Sequence, residues 1–161
     1  PCNMTIKSLA FRNNELSSPK TQREILESKD SSFEYFDETI KKPLVANEVT
    51  TLQINMGKMC NQVCKHCHVD AGPERKDIME REVMEQCLKS IENTSVKIVD
   101  LTGGAPEMNP NFRWFVNELH KKGIHIIVRC NLTIIRANKK YYDLHQYFKD
   151  HDVEVVSSLP F

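Results

Sequence analysis

The run Leu52-Gln-Ile-Asn-Met-Gly-Lys-Met-Cys60-Asn-Gln-Val-Cys64-Lys-His-Cys67-His68 decides how this chain is read. Leu52 and Ile54 alternate with Gln53 and Asn55, the period of a strand, and the alternation ends at Gly57. Cys60, Cys64 and Cys67 follow in the spacing C-x3-C-x2-C. Three thiolates in one loop hold three corners of a soft-metal centre, because sulfur ligands favour iron–sulfur or zinc. No fourth cysteine lies nearby, so one corner stays open to a substrate or cofactor. The competing arrangement is zinc, with His66 or His68 completing a Cys3His set. Structural zinc sites usually draw on two separated ligand pairs rather than one compact triplet, which favours iron–sulfur.

Outward from this loop the pattern repeats. Residues 49–55 read as strand one, and Ala71-Gly72-Pro73 closes the cysteine loop. A helix is predicted from Asp77, with Glu80 three positions on as a capping box. Met79, Val83, Cys87 and Ile91, with Met84 and Leu88, form its apolar stripe. Residues 96–101 read as strand two. A helix over 111–122 places Phe112, Phe115, Val116 and Leu119 on one face and stops at Gly123. Residues 124–128 read as strand three, about 138–150 as a helix packed through Tyr141, Leu144, Tyr147 and Phe148, and 153–156 as strand four. This β/α alternation predicts a parallel sheet of β-branched strands covered on both faces. Four such strands make either part of a (β/α)-barrel wall or a doubly wound sheet. Ending on a strand leaves an open edge, so the chain is expected to be incomplete.

Residues 1–46 read as a separate lead-in. They mix Asn, Ser, Lys and Glu, with a short helix expected at 21–27 and an aromatic cap formed by Phe33, Tyr35 and Phe36. Residues 47–161 carry the β/α repeat. Lys+Arg and Asp+Glu are equal at 22 each, which gives no reason to expect nucleic acid or an anionic membrane as partner. No apolar run is long enough to span a bilayer and no secretory segment is seen, so a soluble, cytoplasmic protein is expected, with an upstream organellar signal left open. Cys2, Cys87 and Cys130 are read as free thiols, the last two buried.

In β/α folds ligands bind at the C-terminal ends of the strands. Strand one ends in the cysteines. Strand two ends in Thr102-Gly103-Gly104, where the backbone is able to approach a ligand closely. Strand three ends in Arg129-Cys130-Asn131 and strand four in Ser157-Ser158. Arg129 is either a cation for a ligand carboxylate or a solvated strand-end arginine. His68 is a candidate loop anchor, while His120, His125, His145 and His151 fall on helix faces or within a strand pattern and are given no catalytic part.

A C-x3-C-x2-C loop directly after a strand resembles the radical S-adenosylmethionine (SAM) enzymes. The resemblance implies that Cys60, Cys64 and Cys67 hold a [4Fe–4S] cluster whose fourth iron is chelated by SAM, with a low-potential electron donor such as flavodoxin or ferredoxin as partner. It also implies a partial TIM-type barrel. Thr102, Gly103 and Gly104 match the Gly-Gly-Glu region that holds the SAM amino group, except that Ala105 replaces the acid and the nearest glutamate is Glu107. Cys130 and Asn131 match positions near the SAM ribose or carboxylate. Ser158 matches the serine of a Ser-Leu-Asp stretch whose aspartate is replaced by Pro160. His66 occupies the place of an aromatic residue against adenine.

The longer strings from Cys60 to Pro73, Leu101-Thr-Gly-Gly-Ala-Pro-Glu107 and Arg129-Cys-Asn-Leu-Thr133 resemble one family further, the arsenosugar biosynthesis radical SAM proteins. This likeness covers about residues 47–161. It implies transfer of a 5'-deoxyadenosyl group onto a dimethylated trivalent arsenical. The alternatives are hydrogen abstraction from a peptide or small metabolite, and a non-catalytic iron–sulfur or zinc module. Convergence of the glycines and Asn131 on one pocket beside the metal loop separates the enzyme from the module.

Overall fold

The computed structural model describes residues 18–28, 40, 42–45, 47–65 and 67–158. The aromatic group Phe33, Tyr35 and Phe36, together with Cys2, His66, Leu159 and Pro160, lies outside the described residues. Helix α1 (Pro19–Leu26) begins two residues before the expected helix. Ser18 caps it, accepting from Thr21 N at 3.4 Å, and a proline suits the first helical position because it has no N–H to satisfy.

Four strands follow: β1 (Thr51–Asn55), β2 (Ile98–Thr102), β3 (His125–Arg129) and β4 (Val153–Val156). They lie in sequence order in one sheet and every pair is parallel. Three helices of 12, 10 and 7 residues cross between them: α2 (Arg81–Glu92), α3 (Phe112–Lys121) and α5 (Leu144–Asp150). Alternate strand residues point to opposite faces, so Ile54, Val99, Leu101, Ile126 and Val128 share one face. All five are buried in one cluster with Met84, Leu88 and Ile91 of α2, Phe112, Phe115, Val116 and Leu119 of α3, and Leu144 and Phe148 of α5.

Coverage of both faces, expected from the β-branched strands, is not found among the described residues. The opposite face carries Ile98 and Ile127 together with Gln53, Asp100, His125, Arg129 and Glu154, whose polar side chains pair with one another. Helices on a single face, with strands in sequence order, match a barrel wall rather than a doubly wound sheet.

Helix α2 begins at Arg81, not at Asp77, and the capping box does not form: Glu80 is the N-cap and its side chain makes no cap bond. The backbone ahead of it is already committed. Lys58 N donates to Asp77 O at 2.7 Å, Met79 N donates to Met56 O at 3.1 Å, and Ile78 bridges Gly57. The buried stripe of α2 is accordingly Met84, Leu88 and Ile91, leaving Val83 exposed and Cys87 only half-buried.

The expected helix over 138–150 is divided. Asn138 Oδ1 accepts from Lys140 N at 3.0 Å and starts a 3-10 turn (Lys139–Tyr141), and α5 begins only at Leu144. Before it lies an unforeseen short helix α4 (Ile134–Ala137), started by Asn131 Oδ1 accepting from Ile134 N at 3.0 Å. Four residues are too few for a helical period to show in sequence. Helix α3 and the turn at Gly123, with φ +68, match expectation.

Asn109 joins three segments of this framework. Its buried amide donates to Met56 O at 3.0 Å and Met79 O at 2.9 Å, and its carbonyl accepts from Asn111 N at 2.9 Å. Asn109→Ala removes three hydrogen bonds, takes the side-chain donor from Met79 O while Met56 O keeps Met79 N, and is expected to lower unfolding stability by about 2 kcal/mol. A urea midpoint unchanged from the parent protein would contradict this reading.

Candidate functional site

The cysteine loop is tied at its base before any ligand is considered. Cys60 N donates to Gly72 O at 3.2 Å and Gly72 N to Lys58 O at 3.0 Å, so the two ends of the loop run side by side. Cys67 N closes a turn onto Cys64 O at 3.2 Å. The end of β2 packs against this base. Met56 N donates to Thr102 O at 2.8 Å, Gly104 N to Gly57 O at 2.9 Å, and Ala105 N to Met59 O at 2.8 Å.

This contact explains the paired glycines. Gly103 has φ +132, and a Cβ on Gly104 would stand 2.4 Å from Met59 O. The close approach anticipated at these glycines is therefore made first to the cysteine loop: the Gly104 N–H is already spent there, although the residue still lines the adjoining pocket.

Hydrogen-bond donors point at the sulfurs. Gln62 N lies 3.4 Å and Asn131 Nδ2 3.6 Å from Cys60 Sγ, and Ala71 N lies 3.3 Å from Cys67 Sγ. Burial pushes the Cys60 thiol up, the bonds from Gln62 and Asn131 pull it down, and nearby Cys64 and Cys67 raise it again. A cation among the three would reverse that mutual repulsion. All three are free thiols. Among the described residues no group of three His, Cys, Asp or Glu side chains already closes around a metal-sized point. The donor set nonetheless fits a soft cluster: three thiols on one pinned loop, two of them accepting backbone N–H bonds as cluster thiolates do.

Beside the loop lies a pocket of about 440 Å³, within the range of small-molecule sites. Its walls include Cys64, Gly104, Arg129, Cys130, Asn131 and Ser158, so residues from all four strand ends meet there. Asn131 also belongs to a closed set of side-chain bonds. Its amide donates to Asn61 Oδ1 at 2.8 Å, Asn61 donates to Thr133 Oγ1 at 2.8 Å, and Thr133 donates back to Asn131 Oδ1 at 3.0 Å. This set fastens the end of β3 to the cysteine loop. Thr102 and Gly103 support the loop base, and His68 is exposed with no hydrogen bond among the described residues.

Neither sequence reading of Arg129 foresaw its partner. Arg129 Nε lies 3.0 and 3.1 Å from the two Asp100 carboxylate oxygens, and Nη2 lies 2.8 Å from Oδ2, while Gln53 Nε2 donates to the same carboxylate at 2.9 Å. Arg129 first, and Gln53 after it, hold the Asp100 carboxyl below its usual range. Asp100 was missed because an acid inside an apolar strand run carries no spacing signal. Asn61 was passed over as a loop residue, and Glu107 was noted only as the glutamate nearest the acid position that Ala105 takes. The histidines given no catalytic part lie elsewhere: His120, His125 and His151 line a separate cavity near the start of β3.

Matched against known protein families, residues 54–157 fit the radical SAM superfamily. The chain belongs to that superfamily. It is 25% identical over 109 residues to a probable GTP 3',8-cyclase of Pyrococcus abyssi, covering 68% of this chain and 34% of the relative. A probable GTP 3',8-cyclase of Pyrococcus horikoshii is 27% identical over 85 residues, covering 53% of this chain and 27% of the relative. The chain thus spans about a third or less of the curated relatives it matches. Among the described residues no helix is long and apolar enough to cross a membrane.

Two outcomes follow from this geometry. Gly104→Ala forces the two loops apart and is expected to cost about 2 kcal/mol, read by chemical denaturation. Asp100, with its folded pKa depressed, contributes stability that is whole above its unfolded value of about 3.9 and is lost as pH falls through the folded value. Arg129→Met should therefore lower stability at neutral pH and flatten its acid dependence. Urea midpoints taken from neutral pH down to about pH 2 measure both effects.

Proposed function

We propose that the protein containing this chain is a radical SAM enzyme in which Cys60, Cys64 and Cys67 hold a [4Fe–4S] cluster and the pocket beside Cys64 receives SAM. The observation that carries the reading is the convergence of Cys64, Gly104, Cys130, Asn131 and Ser158 on one cavity at the strand ends. When bound, the cluster and SAM would together supply a 5'-deoxyadenosyl radical through reductive cleavage. The chain's own contribution is placement. The pinned loop orients the three sulfurs, and the Asn61–Asn131–Thr133 set fixes the amide donor at Cys60. Gly104 offers a wall without a side chain. Arg129, with Nε and Nη2 engaged by Asp100, keeps Nη1 without a protein partner among the described residues and is suited to an anionic ligand group. His66 is proposed as the residue against adenine. A cytoplasmic setting and a ferredoxin or flavodoxin donor complete the reading.

The substrate proposed is a dimethylated trivalent arsenical that receives the 5'-deoxyadenosyl group. Supporting it are the cysteine-loop, Gly-Gly-Ala-Pro and Arg-Cys-Asn strings, and the affinity of soft arsenic for sulfur and for a carbon radical. A second reading, hydrogen abstraction from a small metabolite, is favoured by the two relatives, whose names specify GTP.

The test uses the full-length protein, reconstituted without oxygen. Iron and sulfide analysis with Mössbauer spectroscopy should show a four-iron cluster perturbed by SAM, and replacing any of the three cysteines with alanine should abolish it. With SAM, a low-potential reductant and dimethylarsinous acid, mass spectrometry should find a 5'-deoxyadenosyl–arsenic adduct. Stoichiometric zinc in place of iron would defeat the superfamily chemistry. Formation of 5'-deoxyadenosine alone, at a rate indifferent to the arsenical, would remove the substrate and leave that chemistry standing.

A further inference from the structure

Two buried groups behind the pocket take no part in pinning the cysteine loop. Glu107, on the 3-10 turn Pro106–Met108, is 4% exposed, and neither of its carboxyl oxygens has a hydrogen-bond partner among the described residues. Cys130, just past β3, is 2% exposed, yet it lines the pocket with Cys64 and Gly104. The two side chains are neighbours, each altering the other's hold on its proton, and Leu132 N lies 3.4 Å from Cys130 Sγ. Packing gives no reason for a carboxylic acid here, since an apolar side chain would fill the space without desolvating two oxygens.

Resting on the radical chemistry proposed above, we infer that Cys130 is the hydrogen-atom donor that terminates a carbon-centred radical left in the pocket, with Glu107 placed behind it to return the proton. The radical takes the hydrogen atom of Sγ–H: the S–H bond breaks homolytically, a C–H bond forms, and the sulfur is left as a thiyl. One electron from the low-potential one-electron carrier and one proton from the Glu107 carboxyl restore the thiol, and Glu107 regains its proton from water. The direction is favourable because an S–H bond is weaker than the C–H bond of a primary carbon.

The electrostatics keep the donor loaded. Burial pushes the Cys130 thiol up, and an ionised Glu107 beside it would raise it further, to about 12, so the sulfur carries its hydrogen at neutral pH with Glu107 in either form. Burial also raises the Glu107 carboxyl, which favours its protonated form. Among the described residues, the other charged or titratable groups at this end of the sheet include Arg129, already engaged by Asp100, Cys64 on the pocket wall, and Cys60 and Cys67 on the same loop. Glu107 is thus a positioning residue and Cys130 the group that meets the radical.

The experiment uses the full-length, cluster-loaded protein with SAM and dithionite in D2O and no other substrate. Wild-type 5'-deoxyadenosine should carry one solvent deuterium, delivered through the exchangeable thiol. Cys130→Ser keeps the shape but presents an O–H bond too strong to donate, so its 5'-deoxyadenosine should fall to the unlabelled background. Unlabelled wild-type product, or full labelling in the serine variant, overturns the assignment. No 5'-deoxyadenosine from the wild type overturns the radical reading beneath it as well. A second readout needs no cluster: iodoacetamide alkylation of Cys130 in cluster-free protein, followed by peptide mass spectrometry across pH. Glu107→Gln removes the negative charge beside the sulfur and should move alkylation to lower pH; an unchanged profile overturns the pairing of the two residues.

Discussion

Two main-chain hydrogen bonds, from Gly104 N to Gly57 O and from Ala105 N to Met59 O, hold the end of β2 against the base of the cysteine loop. Side chains at Gly103 or Gly104 would forbid them, since a Cβ there would fall 2.5 Å from Gly57 O or 2.4 Å from Met59 O. The remaining features of the site depend on this contact. It sets where the cysteines emerge from the sheet, and with Asn109 bridging Met56 and Met79 it fixes the backbone ahead of α2. The pocket is what remains between a loop held in this way and the ends of β3 and β4.

The order of strands and the main helices were legible because hydrophobic period is a property of the sequence itself. Residues 52–55 alternate apolar with polar, residues 98–101 and 125–128 are short runs rich in Ile and Val, and Phe112, Phe115, Val116 and Leu119 recur at helical spacing. Local signals were outvoted where distant backbone had a stronger claim. Asp77 and Glu80 spell a capping box, yet Met56 and Lys58 pair with the main chain of residues 77 and 79, and the helix starts four residues later. Asn131 and Asn138 act similarly, each using a side-chain oxygen to shape the chain that follows.

Of the site, the cysteines and the strand-end positions could be read from spacing and topology. What could not be read is pairing across strands. Gln53, Asp100 and Arg129 stand far apart in sequence and become neighbours only through the register that sets Gln53 beside Asp100 and carries Arg129 past it on the next strand. Asn61 and Thr133 meet for the same reason. Glu107 looked like a misplaced remnant of an acidic motif, whereas its burial against Cys130 is a tertiary fact with no sequence period behind it.

The helix-free face of the sheet has a consequence for how a ligand is chosen. Its Asp100 carboxylate is matched at contact range by Arg129, Glu154 is hydrogen-bonded to His125, and the chain as a whole carries formal charge +0 with its histidines neutral. Matched pairs project little field beyond their own length, and salt screens what remains within about 10 Å. This face therefore does not gather ligands from a distance by sign of charge. Selection would then rest on shape and on short-range hydrogen bonds, for which Arg129 Nη1 is a donor that no protein group engages among the described residues.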